Sequence, residues 1–255
     1  MKRAYFFDID GTLYYQKYHE VSPRCMEQLK RIKAQNDYIG LCTSRCLQEL
    51  SHLPKCLRTF PFDVYILDGG ALMLDQNLNI IQHHPMSLEK MEKVDSYCKE
   101  HGIVYRYSTK DGNYWATPPD LKCHRIWMDL YLTTPDFKPY EQENAYNLLV
   151  MTTDLKHQKY FYDLFENKGI VRYPDCLEIR MNGLDKAISV QEYKKLKQID
   201  QTICFGDGEN DILMLKQADI GVAMGNAKDV VKKEADVVLD EIERDPIYYY
   251  LKEEL

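Results

Sequence analysis

Two aspartates stand two residues apart at the end of an apolar run, in Asp8-Ile9-Asp10-Gly11-Thr12. At a strand end, both carboxylates can enter one crevice before Gly11 turns the chain. A second acidic segment, Gly206-Asp207-Gly208-Glu209-Asn210-Asp211, follows another apolar run and can bring Asp207 to the same place. Three carboxylates packed together repel one another, and a divalent cation relieves that repulsion. All-oxygen ligands of this kind favour Mg²⁺, which usually keeps several waters and a substrate phosphate in its shell. Thr43, in Thr43-Ser44-Arg45, and Lys186, in Asp185-Lys186, offer a hydroxyl and a positive charge to phosphate oxygens. These parts suit phosphoryl transfer, where catalysis is mainly positioning and charge stabilisation. An aspartate can also be the nucleophile. Taken singly, each piece has an ordinary reading: Asp and Gly form turns, and a lysine at a helix start is usually solvated. Their shared location at strand ends of one sheet, in consistent order, favours the joint reading.

Those residues need elements to converge them. Residues 5–9, 38–42 and 62–67 read as short buried strands, separated by a helix over 23–36 and a short one over 47–53. Ser22-Pro23 marks the first helix start. From Gly183 the alternation resumes: helix 186–197, strand 202–205, helix 210–216, strand 220–223, helix 227–234, strand 237–239 and a last helix from Pro246. Strand–helix alternation predicts a doubly wound, Rossmann-like parallel sheet. Residues 82–182 read differently, as an inserted α+β domain rich in hairpins, with a turn at Lys110-Asp111-Gly112-Asn113 and another at Pro174-Asp175. The expected division is therefore 1–81 with 183–255 for the core, and 82–182 for the insertion.

Composition bounds the partners. Thirty-three basic and 40 acidic residues among 255 give a net charge of −7, with a pI near 5.6. That balance excludes broad nucleic-acid binding and attraction to anionic membranes. Eight cysteines without a Cys-x-x-Cys read as buried thiols in a reducing compartment. No stretch approaches a membrane span, and the expected location is the cytoplasm.

The motifs also resemble those of a known family. Phe6-Phe7-Asp8-Ile9-Asp10-Gly11-Thr12-Leu13 is similar to the first signature of the haloacid dehalogenase superfamily, Leu41-Cys42-Thr43-Ser44-Arg45 to the second, Lys186 in Leu184-Asp185-Lys186-Ala187-Ile188 to the third, and residues 205–215 to the fourth. Gly221-Val222-Ala223-Met224-Gly225-Asn226-Ala227 adds to the likeness. The wording resembles the Cof-type sugar phosphatases, whose large C2-type cap lies between the second and third signatures. The resemblance implies an Mg²⁺-dependent hydrolase of small phosphorylated metabolites, a sugar phosphate first, acting as monomer or homodimer. Asp8 is then the nucleophile and Asp10 the acid and base. Mg²⁺ is held by Asp8, the Asp10 carbonyl and Asp207. Thr43, Lys186, Asn210 and the amides of Ile9 and Ser44 contact phosphate, while Asp211 orients its neighbours. Two alternatives stay open: a phosphomutase or phosphotransferase with the same nucleophile, and a non-catalytic sensor of phosphorylated metabolites. Ser44 stands where the family usually has glycine, and Asp68-Gly69-Gly70 where it has Asn-Gly-Ala; Asp68 is either a turn former or a contact for a substrate hydroxyl. In the insertion, Arg106, Tyr114, Trp115, His124, Arg125 and Trp127 are the substrate candidates, with the two tryptophans able to stack on a sugar or base.

Overall fold

The computed structural model describes residues 1–129, 132–181 and 183–254. The first apolar run forms β1 (Arg3–Phe7), and Asp8 stands immediately beyond it. In α1 (Pro23–Ala34) the Ser22 hydroxyl accepts from the Cys25 amide, and Pro23 fills a position that needs no donor. Then come β2 (Tyr38–Cys42), α2 (Lys55–Arg58), β3 (Val64–Leu67), β4 (Leu72–Asp75) and β5 (Ile80–His83). The middle of the chain contains α3 (Leu88–His101), β6 (Val104–Ser108), β7 (Asn113–Trp115), α4 (Leu121–Asp129), β8 (Asp136–Phe137), β9 (Leu148–Met151), α5 (Leu155–Leu164), β10 (Ile170–Arg172) and β11 (Leu177–Ile179). The last part holds α6 (Lys186–Lys197), β12 (Gln201–Gly206), α7 (Ile212–Gln217), β13 (Ile220–Ala223), α8 (Asp229–Lys232), β14 (Val237–Val238) and α9 (Pro246–Glu254).

The chain divides into two units. One comprises Met1–Ser44, Leu53–Gln82 and Asp185–Leu255; the other comprises Arg45–His52 and His83–Leu184. Asn182, where the sequence-based boundary falls, lies outside the described residues. The grouping of 45–52 with the second unit is not visible in the sequence pattern. It is fastened there by Glu49, whose carboxylate meets Arg106 at 3.1 Å and accepts from Asn113.

The first unit is built on an eight-stranded sheet in the order β14-β13-β12-β1-β2-β3-β4-β5. Strands β14 to β3 run parallel, and β4 turns back antiparallel to β3. The apolar runs alternate in facing both sides. Ala4, Phe6 and Cys204 share a core with residues of α6 and α7. On β1 and β12, Phe7 stacks on Phe205, which meets Tyr250 of α9 edge-on. Burying each such aromatic contributes roughly 1.5–3 kcal/mol. Helices on both faces make the sheet doubly wound, as the alternation predicts, and put the carboxyl ends of β1, β2 and β12 side by side.

The second unit is a six-stranded, mostly antiparallel sheet in the order β10-β11-β9-β6-β7-β8. Tyr105, Tyr107, Leu148, Val150, Leu177 and Ile179 pack with residues of α3 and α5. The hairpins expected around Lys110–Asn113 and Pro174-Asp175 form as β6–β7 and β10–β11. The helix α4 has no counterpart among the sequence-predicted elements. None of the eight cysteines forms a disulfide, six of them are buried, and among the described residues no helix is long and apolar enough to cross a membrane.

One contact of the fold bears directly on the chemistry. The Asp185 carboxylate accepts from the Ile188 amide at 3.0 Å and starts α6. That bond fixes the backbone from which Lys186 projects. Asp185→Ala is expected to lower stability by about 1 kcal/mol, while Asp185→Asn retains most of it; urea unfolding of the two variants measures the difference.

Candidate active site

Asp8 continues the β1–β12 ladder, its amide donating to the Phe205 carbonyl at 2.9 Å. Its side chain is nearly closed to solvent, at 6% exposure. Lys186 is fully buried, and its Nζ lies 2.6 Å from Asp8 Oδ1 and 2.6 Å from Asp211 Oδ1. The other oxygen of Asp211 accepts from the amides of Asp207 and Gly208, at 3.1 and 2.9 Å. Asp211 therefore does two things: it closes the turn after β12 and braces the lysine.

Asp8, Asp207 and Asp211 each offer a carboxylate oxygen within 4.8 Å of the others. This is not the trio that the spacing suggests. Asp10 stands outside the cluster and its Oδ1 accepts from Gln16 Nε2 at 2.9 Å. The reason is local: Gly11 turns the chain at φ +83°, and the loop that follows meets Asp10. Gly11 is also required by crowding, because a Cβ there would lie 2.2 Å from Asp207 Oδ2.

Three carboxylates against one ammonium leave two negative charges uncompensated. The titration of the groups reflects this. Burial pushes the Asp8 carboxyl well above the usual range, and Asp211 adds to the push while Lys186 opposes it. Burial, then Asp211, raises Asp207 to about 6. For Lys186, burial disfavours the charged form, but Asp211 and Asp8 outweigh it and keep the ammonium protonated. An all-oxygen set with excess negative charge fits a hard divalent cation such as Mg²⁺.

Two residues that sequence reasoning did not assign to the site hold Asp207. Thr12 Oγ1 donates to Asp207 Oδ1 at 3.1 Å. Asn226 Nδ2, beyond the end of β13, donates to the Gly11 carbonyl at 2.9 Å and to Asp207 Oδ2 at 3.3 Å. Asn226 could have been found from its place past a strand end in the same sheet. Thr12 carries no separate signal, since it reads as part of a turn.

The expected phosphate contacts gather on the same strand ends. Thr43 is 1% exposed and extends the β2–β3 ladder by donating to the Ile66 carbonyl. Asn210 Nδ2 donates to Ser44 Oγ at 3.1 Å, so Ser44 tethers Asn210. Ile9 is buried, and its carbonyl accepts from the Thr12 and Tyr14 amides. Asp68 is fully buried in a left-handed turn whose next amide, that of Gly69, donates to the Thr43 carbonyl.

The candidates in the second unit fare differently. Trp115 and Trp127 are buried and pack edge to face at 4.7 Å, in a cluster with Cys123. Their rings are enclosed by Val104, Leu149 and Met151, which leaves no open face for stacking and corrects the expectation for both. Arg106 is buried in its ion pair with Glu49 and donates to Asn147. His124 bonds Thr134, Tyr114 lies under Lys138, and Arg125 is exposed on α4.

The titration has a consequence for stability. Asp207 keeps its proton up to about 6 in the folded chain, against 3.8 for an ordinary carboxyl. Between those values the folded state binds more protons than the unfolded one, so metal-free stability falls as pH rises through that window. Asp207→Asn is expected to stabilise the metal-free protein at pH 7 by about 1–2 kcal/mol and to flatten the fall. Thermal unfolding in chelator across the window measures it.

Comparisons with known proteins identify the family. The sequence profile of the haloacid dehalogenase-like hydrolases matches residues 5–251. The pyridoxal phosphate phosphatase YbhA of Escherichia coli (strain K12) is 34% identical over 275 residues, covering 98% of this chain and 97% of that protein. The 5-amino-6-(5-phospho-D-ribitylamino)uracil phosphatase YcsE of Bacillus subtilis (strain 168) is 24% identical over 238 residues, covering 91% of this chain and 88% of that protein. Among solved structures, a subclass IIB sugar phosphatase of the superfamily superimposes with a TM-score of 0.84 at 27% identity, covering 99% of this chain and 98% of that one. The chain therefore belongs to the haloacid dehalogenase-like hydrolase family and is a phosphatase.

Proposed function

We propose that the protein is an Mg²⁺-dependent phosphomonoester hydrolase that works through an aspartyl-phosphate at Asp8, on a small phosphorylated metabolite, with sugar phosphates the leading class. The observation that carries this is the buried Asp8 carboxylate, ion-paired to Lys186 at 2.6 Å and set beside Asp207 and Asp211. The relatives named above act, by name, on phosphate esters of small molecules, which supports the substrate class.

In the first half-reaction an oxygen of Asp8 attacks phosphorus. The bond to the leaving oxygen breaks, and Asp10 gives that oxygen a proton. In the second, Asp10 takes a proton from the water that attacks the acyl phosphate, which frees inorganic phosphate and restores Asp8. Lys186 holds Asp8 in place and faces the phosphoryl oxygens with its charge. Thr43, Asn210 and the amides of Ile9 and Ser44 fix the remaining oxygens. Asp8, Asp207 and the Asp10 carbonyl are the groups to hold Mg²⁺, with Asp211 braced behind them. When bound, the ion would offset negative charge on the phosphoryl group. Thr12 and Asn226 keep Asp207 turned towards it. Choice of leaving group is assigned to the second unit, as its cap role.

The test is phosphate release from a panel of sugar phosphates, pyridoxal phosphate, flavin mononucleotide and 4-nitrophenyl phosphate. Release is expected with Mg²⁺, to stop with chelator, and to fall on the order of 10³-fold or more in Asp8→Asn. Release that persists in Asp8→Asn would remove the nucleophile from the account. Folded, Mg²⁺-loaded protein that releases nothing would point to a mutase or a sensor instead.

A further inference from the structure

Asp10 has to deliver a proton along the line of a breaking bond, and a residue outside the four signatures holds its side chain. Gln16 Nε2 donates to Asp10 Oδ1 at 2.9 Å. Gln16 is exposed and opens a single 3-10 turn, Gln16–Tyr18. Fixing a surface glutamine costs side-chain freedom, so such a bond persists best where the backbone beneath it is already fixed.

Here it is fixed on several sides. The Gly11 amide donates to the Tyr14 carbonyl at 2.9 Å, and the Tyr14 amide donates to the Ile9 carbonyl at 2.8 Å. These bonds tie the loop back onto the Asp8–Asp10 segment. Tyr15 and Glu20 exchange backbone bonds of 2.9 and 3.3 Å and close the loop around Gln16. Tyr14 is buried and its hydroxyl meets His19 Nδ1 at 2.9 Å. The Tyr15 hydroxyl donates to Glu243, and its ring meets Tyr18 edge-on at 4.9 Å. The short turn thus has a set position, and its first side chain reaches Asp10.

We propose that Gln16 is a positioning residue for Asp10, resting on the reading of Asp10 as the group that protonates the leaving oxygen. Its carboxamide pins the rotation of the Asp10 carboxyl group, so the proton lies towards that oxygen as the phosphorus–oxygen bond breaks and the phosphorus–Asp8 bond forms. The chemistry selects a carboxamide. A glutamate would set a second negative charge against Asp10, a lysine would draw Asp10 into an ion pair, and a methionine would fill the same space without a donor.

Leaving-group dependence tests this. Phenyl phosphate and 4-nitrophenyl phosphate have similar shapes, but the phenolate needs a proton far more than the nitrophenolate does. kcat/KM for both is measured with wild type, Gln16→Met, Gln16→Glu and Asp10→Asn, each checked for an unchanged thermal midpoint. In Gln16→Met the loss for phenyl phosphate is expected to exceed that for 4-nitrophenyl phosphate by roughly tenfold, with Gln16→Glu at least as selective and Asp10→Asn more so. A purely structural role for Gln16 would lower both esters equally. Equal losses in Gln16→Met, with the selectivity retained in Asp10→Asn, overturn the proposal and leave the role of Asp10 standing. Equal losses in Asp10→Asn overturn the role of Asp10 itself. No release from either ester by wild type overturns the phosphatase reading before Gln16 is reached.

Discussion

Burying a carboxylate is costly unless an opposite charge or several donors meet it, and this chain gathers three of them around one lysine. Asp8 and Asp211 share Lys186 at equal distance, while Asp207 leans on Thr12 and Asn226. Lys186 cannot leave without stranding two buried charges, a loss on the order of 3–5 kcal/mol. The lysine therefore has to emerge at one place, and the first turn of α6 places it there. The same shortage of positive charge leaves an excess of negative charge that fits a hard divalent cation.

The parallel sheet makes this geometry available. Adjacent parallel strands end on the same side, so β1, β2 and β12 present Asp8, Thr43 and Asp207 together although they are far apart in the chain. The turns after those strands have little room. Gly11 yields to the Asp207 carboxylate, and Gly206 to Asp211, whose side chain would lie 2.6 Å from an added Cβ. At Gly11 and Gly206, glycine is required because acidic side chains come close to the backbone.

Much of the first unit could be read from sequence because its strands are buried on both faces and appear as uninterrupted apolar runs. The helix over 186–197 was legible to the residue, since Asp185 marks its start and the apolar spacing its length. What failed depended on contacts between distant residues. Asp211 replaces Asp10 in the carboxylate cluster because its position follows from the turn after β12, which spacing from Asp8 does not reveal. Thr12 and Asn226 acquire a role only when Asp207 arrives between them. The helix α4 went unread although Asp120 accepts from the Cys123 amide at its start, and Cys123 and Trp127 lie one turn apart. Leu121 and Met128, at 86% and 71% exposure, blur that pattern. Large aromatics near a suspected ligand attract a binding role, yet Trp115 and Trp127 fill the space under that unread helix.

The central claim is a covalent phosphoryl group on Asp8. Acid quenching during turnover of 4-nitrophenyl phosphate, then borohydride reduction and peptide mass spectrometry, tests it directly. An acyl phosphate is reduced to an alcohol, so the account predicts homoserine in place of Asp8 and unmodified Asp10, Asp207 and Asp211. Phosphate release with Asp8 intact at every quench time, or reduction at another aspartate, would contradict it.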